Sequence, residues 1–461
     1  MGQNNPPLSK QLMAFPLLFL DLDFPVNQEA WNIGHDSNGE YSSSFFFKNR
    51  VSHEKIILVA RSVPVILSCL LAILIFIWAK MLWDEKAAFA ALITYCAWPA
   101  VIAYSSVAQT DMAISLFFFF SIFSFWRFLN EPNKKTFFLL ALSTGFAFAT
   151  KVTAILLPPI QFLINSLQEK SFFNKRLFYL SCAWFLALFI LILDYGVLGV
   201  GRYVDTFRWV MGNTLGIRES HVYFFGKTYL SHPLYYLVVF LLKNPIPILI
   251  FSFLGIVLNW RKKESLFLLI PIALFFLSAS RSKIQLGERF ILPIYPFLCL
   301  FAGHALSIGF THSNKIFKFG TLLLFSWLIA SNTKTYPYYL SYVNEFGGGP
   351  NNSWKTIGFI EGGQDVKGVY EFWQSHPNST LIRAFNMSEI IDWVAPNHPT
   401  RTEKVFLALG VSSFGEKENG LKRGSAQWFL KNRTPIKQLG SIWVYDITQD
   451  KEASNFTIPN Q

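Results

Sequence analysis

The chain has 461 residues, of which 52% are hydrophobic and only 15% charged. A soluble protein of this size carries about 25% charged residues, so composition excludes an ordinary soluble domain and describes a polytopic membrane protein. The net charge of +12 does not argue for nucleic acid, because Lys and Arg in membrane proteins gather in the loops of one side and no zinc-finger, helix-turn-helix or RNA-binding pattern is present.

The first stretch, MGQNNPPLSKQLMAFPLLFLDLDFP, lacks the basic n-region, compact apolar core and small-residue cleavage site of a secretory signal. Its run from Leu12 to Leu20 is shorter than the roughly 20 apolar residues that cross a bilayer. LSKQLMAFPLLFL is expected to lie along the interface as an amphipathic helix. Hydropathy then marks about ten spans, at 57–83, 87–107, 112–130, 136–150, 153–167, 177–198, 234–259, 265–280, 290–309 and 317–332. The four cysteines, Cys69, Cys96, Cys182 and Cys299, fall in these apolar segments, and no disulfide scaffold is implied.

Alternate connections separate by charge. One set carries Lys86, then Arg127, Lys134 and Lys135, then Lys170, Lys175 and Arg176, then Arg261, Lys262 and Lys263, then Lys315 and Lys318. These loops are short and basic and are expected on the cytoplasmic side. Residues 1–55, the turns at 108–111 and 151–152, the loop 199–233, the turn 281–289 and everything after 333 then face outward. An even number of spans behind an outward N-terminus needs something to export it, so either a span is miscounted or a helix belongs upstream. The sequence divides into 1–55, the membrane domain 56–332 and the tail 333–461. The tail is polar, and its β-like runs STLIRAF, KVFLALGV and SIWVYDI predict a small exterior α/β domain.

The residues that bear chemistry gather on the outward turns. SSVAQTDMAIS places Asp111 between two long apolar helices, where a carboxylate is costly unless paired or hydrated. The bland alternative is that Thr110 or Asp111 merely caps the following helix. ATKVTA places Lys151 at another outward turn. SHPLYYLVVFLLKNPIPIL offers His232 and, inside an apolar run, Lys243. RSKIQLGERFILPIYP carries Arg281, Lys283 and Arg289. Each cation has a dull explanation, since Lys and Arg near helix ends snorkel to the headgroups. Together they outline one zone with a carboxylate and several cations, suited to an anionic phosphate at the interface. There a carboxylate can act as general base on an acceptor hydroxyl, while Arg and Lys stabilise the charge growing on a leaving phosphate.

At this point the chain resembles the GT-C membrane glycosyltransferases, in particular the protein O-mannosyltransferase-like branch (glycosyltransferase family 39) and its bacterial relatives. NNPPLSKQLMAFPLL is similar to a His-Pro-Pro-Leu-x-Lys segment, with Asn5 in place of His. ILVARSVPVILS, AQTDMAISLFFF and LSTGFAFATKVTAILLPP follow in the family's order. LGERFILPIYPFLCLFAG is similar to the Gly-x-Arg-Tyr motif, with Phe290 where Tyr is common. YLSYVNEFGGGPNNSW and EGGQD resemble the tail of bacterial members, although the latter lacks the first Asp and the Trp of that pattern.

The resemblance implies a polyprenyl-phosphate-linked sugar as donor, used at the outer face of a cell (plasma or inner) membrane, and inverting transfer to a hydroxyl of a protein, lipid or glycan. It matches Asp111 to the acidic residue of the second outward turn, and Arg289 and Lys151 to basic positions near the donor phosphate. Lys243, Lys283 and Lys10 are further candidates for the phosphate. Some members of the fold use a divalent metal, but no ligand cluster in this sequence demands one. The family's main catalytic acid lies after a first transmembrane helix and before the Pro-Pro segment. Asp21, Asp23 and Asp36 do not match it, which leads to the expectation of a 5′-truncated or mis-started gene. Two rival readings are a lipid or sugar transporter, which predicts inverted repeats and a midplane site, and a non-catalytic, degenerate family member.

Overall fold

The computed structural model describes residues 5–24, 26, 38–168, 175–196, 199–215, 222–357, 364–385, 404–414 and 425–454. The helices run α1 Leu8–Ala14, α2 Asn38–Phe47, α3 His53–Leu82, α4 Glu85–Cys96, α5 Pro99–Ser105 and α6 Thr110–Asn130. They continue with α7 Lys134–Thr150, α8 Leu157–Gln168, α9 Lys175–Tyr195, α10 Val200–Leu215, α11 Tyr235–Lys243 and α12 Ile246–Asn259. The last are α13 Leu266–Arg281, α14 Tyr295–Thr311, α15 Lys315–Thr335, α16 Val366–Gln374, α17 Ser425–Asn432 and α18 Lys451–Ser454. The strands are β1 Val222–Phe224, β2 Lys227–Tyr229, β3 Ser379–Ala384, β4 Lys404–Gly410, β5 Lys437–Leu439 and β6 Ile442–Asp446. Two compact units result: residues 1–219, 245–284 and 288–334 form the first, and residues 220–244, 285–287 and 335–461 the second.

The first unit is helical. Among the described residues, six segments are long and apolar enough to cross a membrane: α3, α6, α9, Lys263–Arg281, Leu292–Thr311 and α15. The number rises to eight if the bent pairs α4–α5 and α11–α12 are each one span. The expected ten spans are not confirmed, and the reasons are local. The apolar run at 136–150 becomes α7, which has 17 residues and at 1.5 Å per residue reaches about 25 Å, short of a hydrocarbon core of about 30 Å. The run at 153–167 begins as a 3-10 turn over Val152–Leu156 before α8 adds 12 residues. The run at 87–107 breaks at Trp98, which is extended ahead of Pro99 as a residue before proline prefers to be, and its two halves bend by 66°. At the front, α1 passes into a 3-10 turn, Phe15–Phe19, whose Phe15, Leu18 and Phe19 are exposed, in keeping with a segment lying on an apolar surface.

The centre of this unit is built by α6 and α14, apolar on most sides and therefore buried. Trp78 of α3 is fully buried among Phe119, Phe123, Trp126 and Phe297. Two glycines let backbones touch: a Cβ on Gly303 would sit 2.3 Å from the Ala91 backbone, and one on Gly255 would sit 2.0 Å from the Phe301 carbonyl oxygen. Small residues at such crossings replace the missing hydrophobic drive between helices in lipid. A polar chain ties α6 to three more helices. Thr144 of α7 meets Ser121 of α6 at 2.7 Å, and Gln161 of α8 donates to Ser121 at 3.0 Å. The Trp184 indole of α9 donates to the Gln161 carbonyl at 2.6 Å.

The second unit holds a mixed sheet in the order β3-β4-β6-β5, with β3 parallel to β4 and the other pairings antiparallel. All three predicted β-runs are strands of it; β5 escaped the sequence reading. Leu407 and Leu409 face one core and Phe406 and Ala408 the other, so β4 is apolar without alternation. Asp365, from the EGGQD run, latches this unit internally. Its carboxylate accepts the Ser441 N–H at 2.7 Å and hydroxyl at 2.6 Å, the Ser341 hydroxyl at 3.3 Å and the Gln364 amide at 3.3 Å. Gly440 beside it has φ +60, and a Cβ there would lie 2.5 Å from the carboxylate, so only glycine admits the latch.

Burial raises the Asp365 pKa although its four donors pull the other way. The folded state therefore holds this proton to a higher pH than the unfolded chain. The stabilisation is complete below the unfolded carboxylate value of about 4 and is lost as pH rises through the folded value. The opening free energy of the Ser441 amide, from hydrogen exchange corrected for intrinsic rate, is expected to fall over that window and to lose this dependence in Asp365→Asn.

Candidate active site

The site is assembled where α6 begins. Gln109 is extended and occupies the N-cap position, but its side chain makes no capping bond. Asp111 lies inside the first turn, where an acid is favoured by the helix dipole. It is not the cap that the bland reading expected, because its carboxylate is turned to another helix. Lys151 closes α7, the antiparallel neighbour, in an extended conformation at the C-cap, a favourable end for a cation. Its Nζ donates to Asp111 Oδ1 at 2.7 Å, with the two side chains 14% and 5% exposed. Among the described residues the other Asp111 carboxylate oxygen accepts no hydrogen bond.

The third participant comes from far along the chain. A short 3-10 turn, Glu288–Phe290, follows Gly287 at φ +73 and presents two side chains to the start of α6 and the end of α7. Arg289 Nη1 donates to Gln109 Oε1 at 3.3 Å. The Phe290 ring lies under the Lys151 ammonium, 5.5 Å from Nζ, a cation–π distance. Tyr104 of α5 and Glu288 are both buried, 8% and 2% exposed.

The structure thus unites Asp111, Lys151 and Arg289. Lys10 is half-buried on α1, donates to the Asn5 carbonyl at 3.2 Å and has its pKa lowered by burial. Lys283 is exposed just beyond α13. Lys243 belongs to the second unit and is 4% exposed there. Its Nζ donates to the Leu340 carbonyl at 2.7 Å, beside Asn344, which bonds the carbonyls of Leu241 at 2.6 Å and Asn244 at 2.8 Å. Sequence reasoning missed Gln109, Tyr104 and Glu288. The signal for two of them was adjacency, since Gln109 stands two places before Asp111 and Glu288 one place before Arg289. No group of three or more His, Cys, Asp or Glu side chains converges among the described residues.

A cavity of about 510 Å³ opens one helical turn past Lys151. Ile155, Pro158, Trp184, Phe185, Leu188 and Phe207 line it, and its walls are almost wholly apolar.

A multi-pass helical membrane protein with an ion-paired acid and an arginine at one helix start is what the fold and site define. Residues 49–193, which include Asp111 and Lys151, match the family model described as dolichyl-phosphate-mannose-protein mannosyltransferase. Over that segment the match bears out the resemblance read from the sequence. Among solved structures, ArnT from Cupriavidus metallidurans bound to undecaprenyl phosphate is 12% identical with a TM-score of 0.49, covering 100% of this chain and 90% of that one. The oligosaccharyltransferase of Archaeoglobus fulgidus in the apo form is 12% identical with a TM-score of 0.45, covering 87% of this chain and 61% of that one. No curated protein matches the chain in sequence.

Proposed function

We propose that the protein transfers a sugar from a polyprenyl-phosphate-linked donor to an acceptor hydroxyl at the outer face of a cell membrane. The observation that carries this reading is the joining of Lys151 to Asp111 and of Arg289 to Gln109 at the N-terminus of α6. A helix N-terminus with two cations beside it is a phosphate site, and the apolar cavity past Lys151 gives a prenyl chain a place to lie.

The residues then take separate roles. Arg289 and Lys151 face the donor phosphate and stabilise the charge it gains as it leaves. The acceptor oxygen forms a bond to the anomeric carbon from the opposite side. The bond from that carbon to the phosphate oxygen breaks, and its electron pair leaves with polyprenyl phosphate, inverting the centre. The hydroxyl proton passes to the open oxygen of Asp111, whose other oxygen stays on Lys151. A phosphate monoester leaves as an anion without being protonated, so no second carboxylic acid is required, unlike glycoside hydrolysis.

The test compares exported glycans and glycoproteins, by mass spectrometry, from cells with and without the gene, and measures binding of undecaprenyl phosphate to the purified chain. A hexose-sized loss together with saturable binding is the expected result. Unchanged glycans and no binding overturn the proposal.

A further inference from the structure

The two cations of the site are held in different ways. Lys151 is paired with a carboxylate at 2.7 Å, so much of its field is cancelled by Asp111 before any ligand arrives. Arg289 is held by a neutral acceptor, the Gln109 side-chain carbonyl at 3.3 Å, and among the described residues it makes no ion pair. Both restraints come from the same short segment, since Gln109 and Asp111 flank Thr110 at the first turn of α6. One turn of backbone therefore orients both cations, yet neutralises only one.

We infer that Gln109 is a positioning residue that aims the Arg289 guanidinium at the anionic group of the ligand while leaving its charge uncancelled. This rests on the reading of the site as a phosphate-recognising one. A carbonyl oxygen suits the task because it accepts a hydrogen bond without adding a negative charge. A long side chain fixed before binding loses less freedom when the ligand arrives. A carboxylate in the same place would hold the guanidinium more strongly, but it would pair with it and compete with the incoming anion. Gln109 is exposed, so its replacement does not disturb the packed interior.

The experiment measures binding of farnesyl phosphate to the purified full chain in detergent, at low and high salt. The variants are Gln109→Ala, Gln109→Glu, Arg289→Ala and the Gln109→Ala/Arg289→Ala double. Gln109→Ala frees the guanidinium but keeps its charge, and is expected to weaken binding by about three- to tenfold with the salt dependence retained. Gln109→Glu keeps the orientation but cancels the charge, and is expected to weaken binding by about tenfold or more and to flatten the salt dependence. The double variant is expected to bind no more weakly than Arg289→Ala. If Arg289→Ala weakens binding while either Gln109 variant behaves as wild type, or if the double variant is additive, the positioning role is overturned and the phosphate site stands. If the wild type does not bind, or Arg289→Ala binds as well as wild type, the phosphate reading falls and this inference falls with it.

Discussion

Asp111→Asn is expected to abolish sugar transfer and to lower the thermal stability of the purified protein in the same variant. The two effects have different origins. The carboxylate is almost fully buried and holds Lys151 at 2.7 Å, and removing one partner of a buried pair strands the other charge at a cost of about 3–5 kcal/mol. The catalytic loss is separate, on the order of a hundredfold or more for a group acting on developing charge or on the proton. A double variant, Asp111→Asn with Lys151→Met, separates them, because it removes both charges together. Its melting temperature is expected to recover most of the loss, while transfer stays below detection. If Asp111→Asn transfers sugar at the wild-type rate, Asp111 has no part in the mechanism. If the double variant melts as low as the single one, the ion pair is not what stabilises the turn.

The second large effect lies away from the site. Gly303→Leu is expected to prevent accumulation of folded protein in membranes. The first added atom would already stand 2.3 Å from the Ala91 backbone, and no rotamer of the new side chain moves that atom. Helices α4 and α14 would have to separate, breaking contacts on which lipid-embedded packing depends. Overpacking commonly costs about 1–3 kcal/mol, and occasionally more, even where side chains can shift, and here the obstacle is backbone. Gly320→Ala is the matched control. Nothing lies within 4 Å of its added Cβ, and replacing glycine inside a helix gains up to about 1 kcal/mol. Expression, and monodispersity on size exclusion, read both outcomes. Equal yields of the two variants would show that the α4–α14 contact is not close.

The contrast between those glycines shows what the sequence could and could not convey. Both sit in apolar helical runs and look alike in one dimension; only the neighbour across the interface differs. The long spans were legible because an uninterrupted apolar stretch such as α3 must be buried or in lipid. Breaks were less legible. Pro99 stood in plain view inside YCAWPAV, but a hydropathy window averages across it, while the backbone turns there. The site divides in the same way. Asp111, Lys151 and Arg289 stand out as charges on outward turns between apolar segments. Gln109 is uncharged, and its partner lies 180 positions away in sequence, so no local pattern reveals it. Lys243 gave the opposite difficulty, a charge in an apolar run that drew attention to chemistry. Its ammonium donates to a backbone carbonyl 97 positions later, a contact that composition does not disclose.

The chain of Thr144, Ser121, Gln161 and Trp184 has a bearing on how the site is held. It keys α6, α7, α8 and α9 to one another, and all four helices fall within or close on the segment 49–193 that matches the glycosyltransferase family. The physically interlocked block and the block that matches the family model thus nearly coincide, and the Asp111–Lys151 pair lies inside both. Arg289 stands outside them, so the guanidinium reaches the site from a separate and later part of the chain. The acid and its lysine are thus set by helices keyed to one another, while the guanidinium is placed by a turn that this polar chain does not hold.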